Sequence, residues 1–253
     1  MLLRRIKHHV VNENWFAVCV DFVIVVVGVY VGIEVSNWNE SRQEDVRAQE
    51  YLERIRADLV SDQEAAVARR DFWAGVINYG EAAIRHAETG ELYQGSVNKT
   101  VLAYYQASQV DPYASVSTTY DEMKVAGELG LVRNAELRSK LASYYVKANN
   151  LQAEHLFRYM PRYRVDVRGL MPIFVQQHVF EECYLGMGNN QVLVDCELPI
   201  DDKMGVALLQ RLSSDVELIE SLRFWIINLS VSGYLVDSNM RLTDELLAMI
   251  DAD

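Results

Sequence analysis

The chain contains little proline and little glycine, with 4 Pro and 13 Gly among 253 residues, whereas 50% of its residues are apolar. This composition excludes collagen-like and low-complexity chains, and it argues against disorder because there is enough apolar surface for a core. The sequence also lacks internal repeats and flexible linkers. We therefore predict a folded protein with one large domain or two small ones.

A basic surface is lacking as well, since 24 Lys and Arg stand against 36 Asp and Glu, for a net charge of −12. The first 36 residues carry three cations and three acids, so the whole net negative charge lies beyond them. An acidic body without a stripe of basic and aromatic residues repels phosphate backbones. We predict that nucleic acid is not a partner.

Enzyme signatures are also missing. The sequence has no G-x-S-x-G, no Walker loop, no G-x-G-x-x-G fingerprint and no H-E-x-x-H, which are the patterns that place nucleophiles, phosphates, dinucleotides or zinc. His178 lies one helical turn before Glu181 and Glu182, but two ligands do not make a metal site. We predict a protein that is not an enzyme and holds no cofactor and no metal.

Only three cysteines occur, and two of them bracket the segment "YLGMGNNQVLVD". Cys183 and Cys196 are thirteen residues apart, and the Gly and Asn residues between them predict a turn between short strands. In an oxidising compartment such a pair predicts a disulfide that closes the loop. The alternative is two unpaired buried thiols; zinc is disfavoured because no C-x-x-C or nearby His pair completes a site.

The most apolar part of the chain is "VDFVIVVVGVYVGIEVSNWNE", residues 20 to 40. Twelve uncharged residues separate Asp21 from Glu34, which is short for a membrane span. Trp15 and Trp38, however, are 23 residues apart, or roughly 35 Å of helix, so one indole would lie at each interface of a bilayer. Since no cleavage site follows, we predict a transmembrane helix over 16–36; the alternatives are a removed signal peptide and a buried core helix.

The orientation of this span follows from the segment "MLLRRIKHH", in which Arg4, Arg5 and Lys7 stand without an acid. The positive-inside rule then predicts that residues 1–15 are cytoplasmic and residues 37–253 lie outside. In a bacterium with two membranes, this is a single-pass protein of the inner membrane with a periplasmic domain.

One face of the predicted span carries small residues. Asp21, Val25, Gly28 and Gly32 are spaced by four, three and four residues, so they share one side of a helix. The two glycines form a small-xxx-small pattern, which allows two membrane helices to approach closely. This face predicts a homo-oligomer or a contact with another membrane protein, with Asp21 at the contact. The alternative is that Asp21 merely reaches the lipid headgroups.

Beyond the span, apolar residues recur at helical spacing and predict one long amphipathic helix to about Glu88, with interruptions of the apolar stripe near Asp62 and Arg70. Capping residues, glycines and Pro112 divide the rest into further helices. These are expected over 97–108, from Thr118 or Thr119 to Gly127 or Gly130, from Asn134 to about 159, over 165–180 with a bend at Pro172, and over 214–251.

The predicted fold class is therefore all-α. One N-terminal transmembrane helix continues into a long amphipathic helix and an extracytoplasmic helical bundle, with a small hairpin near 183–196. The apolar stretch "LRFWIINLSVSGYLV" lies in the last helix. Because it is short and contains Asn and Ser, it is expected to be a buried core helix and not a second span.

Two blocks carry a resemblance to a known family. "GVYVGIEVSNWNE" with the upstream Asp21, and "TYDEMKVAGELGLVRNAELRSKLASYY", resemble a family of uncharacterised bacterial single-span membrane proteins that is labelled only as a domain of unknown function. The resemblance implies an integral membrane protein with a helical extracytoplasmic domain, and it implies no activity. Departures are Glu34, where many relatives have Gln, and the loop between Cys183 and Cys196.

From these features we expect a non-enzymatic, membrane-anchored interaction or scaffold module whose partners are the bilayer and either a second copy or another membrane protein. The alternative is a sensor or an accessory subunit of a transporter or proton-coupled assembly that uses Asp21 within the membrane.

Overall fold

The computed structural model describes residues 15–113, 115–158, 161–187 and 190–252, and it describes no side chain for residues 17, 147–158, 187 and 190. The basic segment from which the orientation was predicted lies outside this part. Within it the fold is all-α with one small hairpin, which confirms the predicted fold class. Its elements are α1 (Trp15–Thr89), α2 (Val97–Gln106), α3 (Thr118–Ala126), α4 (Ala135–Arg158), α5 (Arg162–Leu170), α6 (Ile173–Glu182), β1 (Tyr184–Met187), β2 (Asn190–Leu193), α7 (Asp202–Ser214) and α8 (Val216–Ile250).

Helix α1 is continuous over 75 residues, or roughly 110 Å at about 1.5 Å per residue. No proline interrupts it. It ends where the sequence predicted, because Gly90 adopts a left-handed φ of 76° and its N–H bonds to the carbonyl of His86 at 2.8 Å. A glycine tolerates this conformation without strain.

Helix α8 runs antiparallel along the second half of α1. Three ion pairs follow the contact in reverse order along the two helices, namely Glu88 with Arg223 at 2.7 Å, Arg70 with Asp237 at 3.4 Å and Arg56 with Asp251 at 2.8 Å. Each side chain in these pairs is about half exposed, so the pairs contribute little stability individually. Burial of apolar side chains between the helices, such as Trp225 and Leu222 of α8, supplies the driving force.

The core has two parts along α1. The distal part, near Thr89, gathers α1, α2, α5, α6, α7, α8 and the hairpin around fully buried aromatic residues such as Trp73, Tyr104 and Tyr163. The proximal part, nearer the predicted membrane, joins α1, α3, α4 and the end of α8 around Ile55, Leu59, Met123, Leu137, Leu141, Tyr144 and Leu246. Residues 119–145, the second block of the family resemblance, therefore build the proximal core.

Local capping explains the shorter helices. Ser96 accepts a bond from the Lys99 N–H at the start of α2, and Asn134 accepts from the N–H groups of Glu136 and Leu137 at the start of α4. Gly127, with φ of 73°, ends α3. The predicted helix over 165–180 is instead two helices, because Pro172 is the N-cap of α6 and the chain is extended at Met171.

The hairpin pairs Tyr184 with Leu193 and Met187 with Asn190 in antiparallel register. It follows α6 directly, and Leu193 of β2 packs against the distal core. The chain beyond β2 is held by Lys99 of α2, whose ammonium donates to Asp195 at 2.8 Å and lies 3.4 Å from Glu197.

Candidate functional site

The first part of α1 has the character of a membrane anchor. Among the described residues, α1 contains the one helix segment that is long and apolar enough to cross a membrane, and none of its most apolar window is buried against the rest of the chain. Val23, Ile24, Val29 and Ile33 are more than half exposed. In water such a surface would be strongly unfavourable, so this segment needs a lipid or protein environment.

The predicted contact face lies entirely on this exposed segment. Asp21, Val25, Gly28 and Gly32 follow one side of α1, and a Cβ placed on either glycine would meet nothing within 4 Å. No other described part of the chain covers the face. The structure thus places these four residues together on one helix surface and leaves the prediction of a contact there open.

The two predicted interfacial anchors also lie on α1, at opposite ends of the apolar segment. Trp15 is 69% exposed and Trp38 is 65% exposed. The guanidinium of Arg42 lies 5.9 Å from the ring centre of Trp38, a cation–π arrangement that suits a side chain at the polar boundary of a bilayer.

About two turns beyond Trp38, α1 borders a cavity of about 740 Å³ that we call the stem groove. Its walls are formed by the part of α1 beyond residue 36, which we call the stem, by the turn after α3 and by the end of α8. The lining residues are Asp45, Ala48, Gln49, Leu52, Glu53, Arg56, Leu131, Arg133, Ile250 and Asp251. Both charge signs occur, so the groove presents a mixed polar surface close to the predicted membrane boundary.

The turn between α3 and α4 is tied to the stem by polar contacts. Arg133 pairs with Asp45 at 2.6 Å and donates to the Ser41 hydroxyl at 3.2 Å. Glu128 accepts from the Tyr51 hydroxyl at 2.8 Å and lies 3.7 Å from Arg47. The hydrogen bond to Glu128 raises the pKa of Tyr51. These bonds fix the turn against α1 at the level of the groove.

A buried carboxylate lies deeper in the proximal core. Asp62 is 1% exposed, accepts from the Val116 N–H at 2.7 Å and from the Tyr144 hydroxyl at 2.9 Å, and lies on α1. Burial raises the pKa of Asp62 to about 6, and its hydrogen bonds from Val116 and Tyr144 only partly offset this. The sequence predicts an interruption of the apolar stripe at Asp62, but Val116 and Tyr144 are too far from it in sequence for the pattern to identify them as its partners.

A buried ion pair was missed from the sequence. Arg69 of α1 pairs with Asp111 in the segment after α2, and both side chains are less than a tenth exposed. The indole of Trp73 donates to the Asp111 carbonyl at 2.9 Å. The interruption of the apolar stripe that the sequence predicts near Arg70 indicated a polar site here. The buried cation is its neighbour, Arg69.

Cys183 and Cys196 are joined by a disulfide, with their Cα atoms 5.3 Å apart. His178 lies close, since its ring and the two sulfur atoms fall within 4.8 Å of one another. Because the sulfur atoms are bonded to each other, and the His178 Nε2 bonds with the Glu197 carbonyl at 2.8 Å, this group does not offer three free ligands to a metal.

Comparison of the chain with family models, with curated proteins and with solved structures finds no match. The resemblance drawn from the two sequence blocks therefore stays a prediction.

Proposed function

We propose that the protein is a membrane-anchored interaction module that carries out no chemistry. The main support for this proposal is the continuity of α1, which joins an exposed apolar segment to the bundle without a break. The segment over 16–36 anchors the chain in the inner membrane as a single span, and residues 37–253 form a domain on the periplasmic side. The bundle and the stem groove present binding surfaces at a fixed height above the bilayer.

We propose further that the anchor associates through the face of Asp21, Val25, Gly28 and Gly32. The open space around both glycines supports this, because a partner helix could approach the backbone there. The partner is a second copy of the chain or another membrane protein. A carboxylate on such a face would be protonated or paired inside a contact, which makes the association sensitive to Asp21.

The continuity of α1 favours a second candidate, a sensor or an accessory subunit of a transporter or proton-coupled assembly. A rigid helix that runs from the bilayer to the distal core can carry a displacement between them. In this function Asp21 would couple to a partner within the membrane.

Cysteine crosslinking in native membranes tests the face directly. In a Cys19→Ala background, Val25→Cys is expected to form intermolecular disulfides, whereas Val23→Cys, which points to the opposite side of the helix, is expected to form few. Adding Gly28→Leu or Asp21→Asn is expected to lower crosslinking at Val25 by about fivefold or more. Crosslinking at Val23 as strong as at Val25 would refute the face, and crosslinking at neither position would exclude a second copy as the partner.

Two further measurements distinguish the two candidate functions and test the orientation in the membrane. Pull-down of the full-length protein in a mild detergent, followed by mass spectrometry, is expected to recover a second copy for the module and a distinct membrane protein for the accessory subunit. Protease added to spheroplasts is expected to digest residues 37–253; protection of this region would contradict the proposed orientation.

A further inference from the structure

A second cavity, which we call the arginine pocket, lies in the distal part of the bundle. It has a volume of about 230 Å³ and is bordered by the end of α2, by α5, by α6 and by the hairpin. The side chains that matter for its chemistry are Arg164, Arg168, Tyr105, Phe180, Tyr184 and Gln191. Such a volume is smaller than that of a typical drug-sized site and suits a small molecule.

Two guanidinium groups enter this pocket from one helix. Arg164 and Arg168 are one turn apart on α5, so they lie on the same face, where like charges repel. Arg164 donates to the Ser108 carbonyl at 2.6 Å, and Arg168 donates to the Ser108 hydroxyl at 3.1 Å and to the Gln109 amide oxygen at 2.9 Å. Arg168 also lies 4.8 Å from the ring centre of Tyr105.

These contacts fix both arginines in place without neutralising them. All three acceptors are uncharged, and in the part of the chain that the structure describes no carboxylate forms an ion pair with either guanidinium. Arg162, on the same helix, shows the contrast because it pairs with Asp166 at 3.1 Å and Glu217 at 2.8 Å.

Both arginines are partly buried, which disfavours their charged forms. Burial lowers the pKa of Arg164 to about 10, and the neighbouring Arg168 lowers it further in the same direction. Burial also lowers the pKa of Arg168. A charged group that is taken out of water normally gains a partner of opposite charge. An anion bound in the pocket would supply that partner.

The geometry of the donors also suits an oxyanion. A guanidinium carries five N–H donors in a planar fork, and the described protein acceptors take one bond from Arg164 and two from Arg168. The remaining donors match the paired oxygen atoms of carboxylate and phosphate groups. Tyr184 and Gln191 add a hydroxyl and an amide at the wall of the pocket.

The ligand is expected to be soluble, because the pocket is far from the proposed bilayer. Tyr184 of the pocket interacts electrostatically with Arg69 of α1 as well as with Arg164 and Arg168. Arg69 is 33 residues beyond Ser36 on the continuous helix, or roughly 50 Å at about 1.5 Å per residue. The headgroups around the protein's own anchor lie beyond reach of the pocket.

We propose that the arginine pocket binds a small soluble oxyanion with two negative charges, of the kind found in phosphate groups and short dicarboxylates. Arg164 and Arg168 bind the two charges, and the ring of Tyr105 packs against the guanidinium of Arg168. This inference goes beyond the membrane-anchored module, since it requires neither association of the anchor nor a partner protein.

Calorimetric titration of the full-length protein in a non-ionic detergent tests the proposal, at pH 8 and low salt without phosphate in the buffer. The probes are inorganic phosphate, succinate and acetate. Phosphate or succinate is expected to bind with a dissociation constant below about 1 mM. Acetate, with one charge, is expected to bind at least about tenfold more weakly. Absence of saturable binding by both dianions would overturn the proposal, as would equal binding of acetate.

Four variants locate the binding. Arg164→Gln removes one charge, and Phe180→Glu adds a carboxylate at the rim from a side chain that is 75% exposed, so the second variant keeps the fold even if the first does not. Each variant is expected to raise the dissociation constant of the dianion by about tenfold or more. Arg162→Gln and Phe224→Glu are the matched controls, since both residues are exposed and lie outside the pocket. Their affinity is expected to stay within about twofold of wild type, and unchanged binding by Phe180→Glu would overturn the site.

Discussion

The hydroxyl of Tyr144 donates to the carboxylate of Asp62 at 2.9 Å, and both side chains are buried. This bond joins α4 to α1 inside the proximal core, where the segment around Val116 supplies a second donor to the same carboxylate. A charged acid is therefore kept in an apolar setting by two hydrogen bonds. Its protonation changes the free energy of unfolding.

The first prediction concerns that dependence on pH. Because burial raises the pKa of Asp62 from 3.8 to about 6, the folded state holds the proton more tightly than the unfolded state. The contribution of Asp62 to stability therefore falls as pH rises from about 4 to 6, by about 2 kcal/mol. In denaturant titrations of the protein in detergent, Asp62→Asn is expected to remove this decrease in the free energy of unfolding between pH 4 and 6.

The measurement needs a reference for the other carboxylates. Glu64→Gln, an exposed position on the same helix, is expected to leave the pH profile of wild type unchanged. Asp58, Tyr113 and Tyr144 also face Asp62, but burial raises the pKa of both tyrosines, so neither hydroxyl ionises in this range. A profile for Asp62→Asn parallel to wild type from pH 4 to 6.5 would contradict the assignment.

The second prediction compares a buried ion pair with an exposed one. Asp111→Ala leaves the charge of Arg69 in the core without its carboxylate, and we expect the free energy of unfolding to fall by about 3–5 kcal/mol. Arg70→Ala breaks the exposed pair with Asp237 on the next position of α1, with an expected loss of about 0–1 kcal/mol. Thermal and denaturant unfolding of both variants measures the two losses of stability. Similar losses would contradict the prediction that removing a partner from the buried pair costs more than removing one from the exposed pair.

The third prediction concerns the disulfide. Replacing both Cys183 and Cys196 by Ala is expected to lower stability by about 2–4 kcal/mol, since the bond closes a loop in the unfolded chain. A reductant is expected to destabilise wild type and to leave the double variant unaffected. Cys19→Ala removes the exposed free cysteine and serves as the control. This variant is expected to be as sensitive to reductant as wild type.

The fourth prediction uses two glycines of the long helices. A Cβ at Gly80 of α1 would lie 2.5 Å from the Cγ2 of Ile226 on α8, whereas one at Gly233 of α8 would meet nothing within 4 Å. Gly80→Ala is expected to lower stability by about 1–2 kcal/mol, because the overlap outweighs the gain in helix propensity. Gly233→Ala is expected to raise stability by up to about 1 kcal/mol.

A double variant checks the cause at Gly80. If overlap with Ile226 is responsible, Gly80→Ala combined with Ile226→Ala is expected to be more stable than the sum of the two single changes predicts. Strict additivity would assign the loss to something other than this contact.

Local patterns in the sequence predicted the helices well because their determinants are local. The end of α1 at Gly90, the N-cap at Asn134 and the end of α3 at Gly127 each depend on residues within one turn. Pro172 was expected to bend one helix and instead separates two, since the preceding residue is forced into an extended conformation.

The polar interior could not be predicted, because its partners are far apart in sequence. Asp62 and Tyr144 are separated by 82 residues, and Arg164 and Ser108 by 56. Periodicity marks such residues only as exceptions to an apolar stripe, and it does not say which exceptions meet. The arginine pocket left no trace in the sequence, since basic residues on a predicted helix are usually solvated.

The unbroken course of α1 also sets the shape that an assembly through the anchor would take. Gly28 and Ile55 are 27 residues apart on this helix, or about 7.5 turns at 3.6 residues per turn, so they point to opposite sides of its axis. Ile55 marks the side on which the proximal core is built. Two copies joined at their glycines would therefore stand with their long helices together at the centre and the two bundles on the outside, facing away from each other.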